Sequence, residues 1–184
     1  MSDAPGANSF LARGGAWVVI QFVLMTTVLV LGLLCHAETW PPREFMIFVG
    51  AGLLTFTAIF GLKGVAALRG NRTPFPKPLE QSELVRAGIY AQVRHPLYTS
   101  IMLAGFGWSI CLESWPALLV ALVQVPFFQA KARREERWLC EKFAGYSDYM
   151  KRVPRFIPRL RSIPFSCTVI LLLNLVTFFQ LPAQ

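Results

Sequence analysis

No charged residue occurs between positions 16 and 35, and uncharged runs of the same kind recur at 45–62, 96–112, 117–128 and 165–181. At 1.5 Å per residue, twenty helical residues reach about 30 Å, the thickness of a bilayer's hydrocarbon core. The pattern therefore predicts an all-α, polytopic membrane protein with about five transmembrane helices. Residues 1–15, rich in Gly, Ala, Ser and Pro, read as a short disordered lead. Between the first two runs, Pro41 and Pro42 break any helix and Trp40 suits the lipid interface. Lys63 closes the second run, and residues 63–95 form the longest polar connection. Its centre alternates proline with other residues and predicts an extended path; residues 79–90 predict a short interfacial helix. Proline at 96 suits a first helical turn, and Glu-Ser-Trp-Pro at 113–116 turns the chain. The fourth helix then continues past its apolar part to Phe143, about 28 residues or roughly 40 Å, so its last turns project from the bilayer. Gly145 ends it. Prolines at 154, 158 and 164, interleaved with Arg152, Arg155, Arg159 and Arg161, predict an irregular surface segment on lipid headgroups.

Gly50, Ala51, Gly52, Ala58 and Gly61 give the second run a small-residue surface that another helix can approach closely. A cleaved leader is the rival reading of the first run, but Leu34 is too large for the position before Cys35 and the run is long for a leader. Composition agrees with a membrane protein: 54% of the 184 residues are hydrophobic and 15% charged. The whole chain, 1–184, reads as one domain.

The net charge of +8 would suggest nucleic acid in a soluble protein. Here the basic residues flank apolar runs, so they point to anionic headgroups, and nucleic-acid binding is excluded. With five spans, 17 of the 18 Lys and Arg residues fall on one side, Arg43 alone opposite. By the positive-inside rule this side, with the N-terminus, is cytoplasmic, in the inner membrane if the cell is bacterial. The four cysteines show no C-x-x-C pair and no histidine at zinc spacing; they read as packing residues, with no metal.

Two polar stretches border the apolar runs. Residues 88–100, GIYAQVRHPLYTS, set Arg94 and His95 at the mouth of the third span, and residues 132–149 carry Arg133, Glu135 and Glu136 at the end of the fourth. Ionisable groups near hydrocarbon require compensation. The four-residue turn makes the two spans antiparallel neighbours, and counting from it puts Tyr98 and Arg133 within about 3 Å of the same height. His95 and Tyr98 share a face, and Gln129, Arg133, Glu136 and Cys140 form one stripe, with Glu135 about 100° away from Glu136. Either stretch alone reads as a cationic collar or a solvated helix end with internal ion pairs. Converging on one cleft, they read as a site.

The order Gly88, Tyr90, Arg94, His95, Pro96, Tyr98, then Glu135, Glu136 and Leu139, then Phe143, Tyr146 and Tyr149, then Val-Pro-Arg-x-Ile-Pro at 153–158, closely resembles the integral-membrane methyltransferases typified by isoprenylcysteine carboxyl methyltransferase and the phospholipid methyltransferases. The match covers the motif-bearing part, 88–158. Ser100 stands where that family usually has Gly or Ala, and Ala144 where Gly is usual, substitutions that would narrow a cofactor pocket.

The resemblance implies a pocket for S-adenosylmethionine at the cytoplasmic ends of the third and fourth spans, covered by the C-terminal segment, with a lipophilic acceptor entering from the bilayer. It implies cofactor binding by Tyr90, Arg94, His95, Tyr98, Glu135, Glu136 and Leu139, with Arg94 there or at the headgroup interface, and catalytic roles for Glu136, Arg133 and His95. The reaction implied is methyl transfer to a carboxylate of a prenylated or similar acceptor. Phospholipid N-methylation and thiol methylation are the alternatives within the class; a nicotinamide-dependent sterol-type reductase and a non-enzymatic membrane protein are those outside it. Acceptor identity and oligomeric state are not legible here.

Overall fold

The computed structural model describes residues 10–36, 42–68, 73–79 and 81–159, and every regular element among them is helical. These are α1 (Gly15–Leu34), α2 (Arg43–Leu68), a single 3-10 turn (Gly88–Ala91), α3 (Pro96–Cys111), α4 (Trp115–Lys142) and α5 (Tyr146–Arg152). Helices α1, α2 and α4 are each long and apolar enough to cross a membrane. With 16 residues, α3 reaches only about 24 Å. The fifth expected span, 165–181, and Trp40 with Pro41 lie outside the described residues.

The α2–α3 contact is the closest in the bundle. A Cβ on Gly50 would stand 2.9 Å from the Gly107 carbonyl oxygen and 2.4 Å from Cys111 Sγ, and one on Gly107 would stand 3.0 Å from the Gly50 carbonyl oxygen. Backbones approach this closely only where side chains are missing. Gly61 joins the same face, whereas Gly52 has nothing near it and points elsewhere. Farther along, Ser100 Oγ donates to the Thr57 carbonyl at 3.0 Å, and Thr57 Oγ1 returns a bond to the Ser100 carbonyl at 3.3 Å. Ser100 thus ties α3 to α2 and does not line the cleft described below, contrary to the expected narrowing.

A tight corner joins α3 to α4. Glu113 adopts a positive φ of 52°, and Ser114 caps α4, its Oγ accepting from Ala117 N and donating to the Leu31 carbonyl of α1 at 3.0 Å. One serine thereby fixes the start of α4 and its distance from α1. Helix α4 runs unbroken through Pro126 for 28 residues, about 42 Å, as its pattern predicted.

Several expectations fail locally. Helix α2 does not stop at Lys63 but continues through Gly-Val-Ala-Ala-Leu to Leu68, because Gly64 lets it follow α3 past Leu97 and Pro96. Residues 79 and 81–87 are not helical; Ser82 turns back on the Leu79 carbonyl, and only Gly88–Ala91 coils. Residues 10–14 are ordered as a helical turn, with Phe10 packed edge-on against Phe75. Finally, residues 153–156 are half-buried and bonded to the chain just before α3, not laid free on the surface. The N–H groups of Arg94 and His95 donate to the carbonyls of Pro154 (2.9 Å) and Arg155 (3.1 Å), and Thr99 Oγ1 donates to Phe156 (3.0 Å). These N–H groups just before α3 need acceptors, and the proline-rich tail supplies them.

Candidate active site

The tail, α3 and α4 meet on one carboxylate. Glu136, 3% exposed, accepts from Arg94 Nε (3.0 Å) and Nη2 (2.9 Å), from His95 Nε2 (3.0 Å) and from Arg155 Nε (3.0 Å), all on Oε1. Its Oε2 accepts from Arg155 Nη2 at 2.6 Å. A carboxylate held by two guanidiniums is ionised and can only accept, so the proton of His95 sits on Nε2. Arg94 is further held by the carbonyls of Met150 (2.8 Å) and Val153, and Arg155 by Gln129 Oε1 at 3.4 Å. The cluster has two guanidiniums against one carboxylate and so carries an excess positive charge behind the cleft.

Beside it lies an open cleft of about 840 Å³, counted with its mouth and the solvent in it. Tyr90, Arg94, His95, Tyr98, Glu135, Leu139, Phe143, Tyr146 and Tyr149 line it from the two motif stretches, and residues of the 73–85 connection line the facing wall. The His95 ring stacks on Tyr98 (5.2 Å between centres, 3° between planes), and Tyr98 donates to Glu135 Oε2 at 2.6 Å. His95 Nδ1 stands 3.8 Å from the same Glu135 oxygen. Tyr146 and Tyr149 pack at 5.6 Å, and Tyr149 donates to the Tyr90 carbonyl at 2.5 Å. Burial raises the Tyr149 phenol to about 12 and pushes those of Tyr90 and Tyr146 higher still, so all three remain neutral donors.

Of the residues singled out in the sequence, Tyr90, Arg94, His95, Tyr98, Glu135 and Leu139 come together at this cleft. Glu136 does not line it; its oxygens are turned to Arg94, His95 and Arg155. Arg133 is exposed and joins neither group. The α4 face that packs inward runs through Phe128, Ala132 and Glu136, and Arg133 stands about 100° round from Ala132. Arg155 takes the place expected of Arg133. Its signal was its fixed position inside the Val-Pro-Arg-x-Ile-Pro motif, outweighed by the three prolines that read as surface.

The donor set suits S-adenosylmethionine: aromatic faces for an adenine, a carboxylate in Glu135 for an ammonium, and positive charge behind for a carboxylate.

A family model described as phospholipid methyltransferase matches residues 45–145, more than half of the chain. The chain is 31% identical over 159 residues to a nickel-cobalt-cadmium resistance protein of Alcaligenes xylosoxydans xylosoxydans, covering 83% of this chain and 68% of that one. It is 39% identical over 77 residues to the protein-S-isoprenylcysteine O-methyltransferase of Schizosaccharomyces pombe, covering 41% and 33% respectively. A methanethiol S-methyltransferase of Bradyrhizobium diazoefficiens is 32% identical over 118 residues, covering 61% and 41%.

Proposed function

The chain belongs to the phospholipid methyltransferase family and is a membrane methyltransferase, and from that premise we propose that its donor is S-adenosylmethionine and its acceptor a carboxylate on a prenylated or similarly lipophilic molecule. The observation that carries this is the cleft itself: aromatic rings and one accessible acid, Glu135, stand against a sealed, positively charged cluster at the projecting ends of α3 and α4. When bound, the donor supplies an electrophilic methyl on a sulfonium. Glu135 would hold its ammonium, with Tyr98 orienting that acid through the 2.6 Å bond. Tyr90, Phe143 and Tyr146 offer ring faces to the adenine, and Arg94, with the charge of its cluster, draws the donor's carboxylate. Leu139 supplies apolar wall. Alignment and exclusion of water are then the main work of the protein.

His95 is the candidate catalytic residue. Its Nε2–H is committed to Glu136, which leaves Nδ1 on the cleft side to orient an acceptor, or to take a proton where the acceptor is an amine or thiol. Glu136 acts as a positioning residue for His95 and Arg94, and Arg133 is left without a role. The apolar helices support entry of the acceptor from the bilayer, and the 17 basic residues expected on the motif side support a cytoplasmic active site.

The test is where label goes when membranes containing the protein receive methyl-labelled S-adenosylmethionine. Alkali releases methyl esters as volatile methanol and leaves N-methyl and S-methyl groups in place. Volatile label in the lipid fraction supports the carboxylate. Alkali-stable label in phospholipid would overturn it for N-methylation, and stable label on small thiols would favour the second reading, which the methanethiol S-methyltransferase relative supports.

A further inference from the structure

One buried ammonium stands outside the cluster around Glu136. Lys131 is 1% exposed, and among the described residues both of its hydrogen-bond partners are neutral: Gln21 Oε1 of α1 at 2.5 Å and the Pro74 carbonyl at 3.4 Å. Its Nζ also stands 5.2 Å from the centre of the Tyr98 ring. A buried lysine whose two hydrogen-bond acceptors are neutral is unfavourable unless the geometry it imposes is needed, because desolvation of the charge outweighs what those acceptors and the charge of Glu135, one turn along α4, return.

What Lys131 reaches is the wall of the cleft. Thr73, Phe75, Pro76, Pro78 and Leu79 line the side facing Tyr90 and Tyr98. Three prolines in seven residues deprive this segment of backbone donors, so it must be held by its surroundings. At one end Lys142 Nζ donates to the Leu79 carbonyl and to Ser82 Oγ (2.9 Å). At the other, residues just before α1 hold it together with Lys131. Phe10 packs edge-on against Phe75 at 5.6 Å, the Arg13 guanidinium lies 4.3 Å from the Phe75 ring centre, and Gly14 passes so close that a Cβ there would stand 2.6 Å from Pro76 Cγ. Lys131 joins these two systems, with one hydrogen bond to α1 and one to the wall. Helix α1 lies outside the residues matched by the family model, which begin at 45.

We infer that Lys131 and Gln21 are positioning residues for the donor: together they fix residues 73–79 against the cleft and thereby set its affinity for the donor. The inference rests on the cleft being the S-adenosylmethionine site. The full chain in detergent, with S-adenosylhomocysteine as the calorimetric probe and hydrogen exchange across 73–79 as a second readout, tests it. Lys131→Met and Gln21→Leu should each weaken binding about fivefold or more, the low end of typical coupling between sites. Each should also speed exchange in the wall. The double variant should bind no worse than the weaker single, since the two residues act through one link. Gln21→Glu, which keeps an acceptor for the ammonium, should bind as the parent does, and this pair carries the test should Lys131→Met fail to fold. Unchanged affinity and unchanged exchange in Gln21→Leu, or losses that add in the double variant, overturn the inference while leaving the donor site standing. A parent protein that binds no S-adenosylhomocysteine overturns the donor site and the inference with it.

Discussion

Glu135 and Glu136 are neighbours in the chain with opposite surroundings. Both oxygens of Glu136 are committed to Arg94, His95 and Arg155, whereas Glu135 faces the cleft with Tyr98 as its hydroxyl donor. Their substitutions should therefore separate stability from binding. Glu136→Gln leaves Arg94 and Arg155 packed around a neutral amide. Breaking one partner of a buried charge group typically costs about 3 to 5 kcal/mol. The expected result is a clear drop in the thermal unfolding midpoint of the purified protein, together with lost activity. Glu135→Gln removes only a charge that is accessible from the cleft. Its midpoint should stay near the parent's while S-adenosylhomocysteine affinity falls about tenfold, the loss of one charge-assisted contact of about 1.5 kcal/mol or more. Calorimetry and thermal denaturation on the same samples check both, and an unchanged affinity in Glu135→Gln would remove that residue from the site. Sequence spacing put the two acids about 100° apart but could not say which faced inward, because that depends on Arg155, which arrives from 19 residues farther along the chain.

At the scale of elements, what was legible is what local chemistry decides. Pro96 starts its helix where it stands, and the run that follows the 113–116 turn forms one unbroken helix that ends at Lys142, one residue short of Phe143. What was not legible depends on a partner elsewhere in the chain. Residues 153–156 have the composition of a surface loop, yet they supply the acceptors for the N–H groups of Arg94 and His95 just before α3, and no periodicity in a sequence announces such a pairing. The small-residue surface of α2 is an intermediate case: composition announced a close approach, but only the fold shows that Gly50 and Gly61 carry it and Gly52 does not. This yields a paired prediction. Gly50→Val forces α2 away from Gly107 and Cys111, and overpacking of this kind costs about 1 to 3 kcal/mol. Gly52→Ala meets nothing and gains helix propensity of up to about 1 kcal/mol. Unfolding in detergent should thus move in opposite directions for two glycines two residues apart, and equal losses would mean that α2 packs on a different face.

For the whole molecule, the distribution of charge and the position of the cleft make one connected prediction about orientation. The corner that joins α3 to α4 carries Glu113, paired with Arg43 at 3.7 Å, and Arg43 is the single basic residue expected on that side. The opposite end holds the cleft, the cluster around Glu136 and α5, which buries Tyr146 and Tyr149 and exposes Asp148. If basic residues stay where the protein is made, the cleft opens toward the cytoplasm, where a charged, water-soluble donor such as S-adenosylmethionine is synthesised, and the Arg43–Glu113 corner faces out. A cysteine-free background, with Glu44→Cys at the start of α2 and Asp148→Cys on α5 as separate probes, makes this measurable, since both positions are exposed. An impermeant maleimide should label Glu44→Cys in intact cells and Asp148→Cys only after the membrane is opened. Labelling of Asp148→Cys in intact cells would put the cleft on the side without a donor supply, and a catalytic role for it would then need a different cofactor.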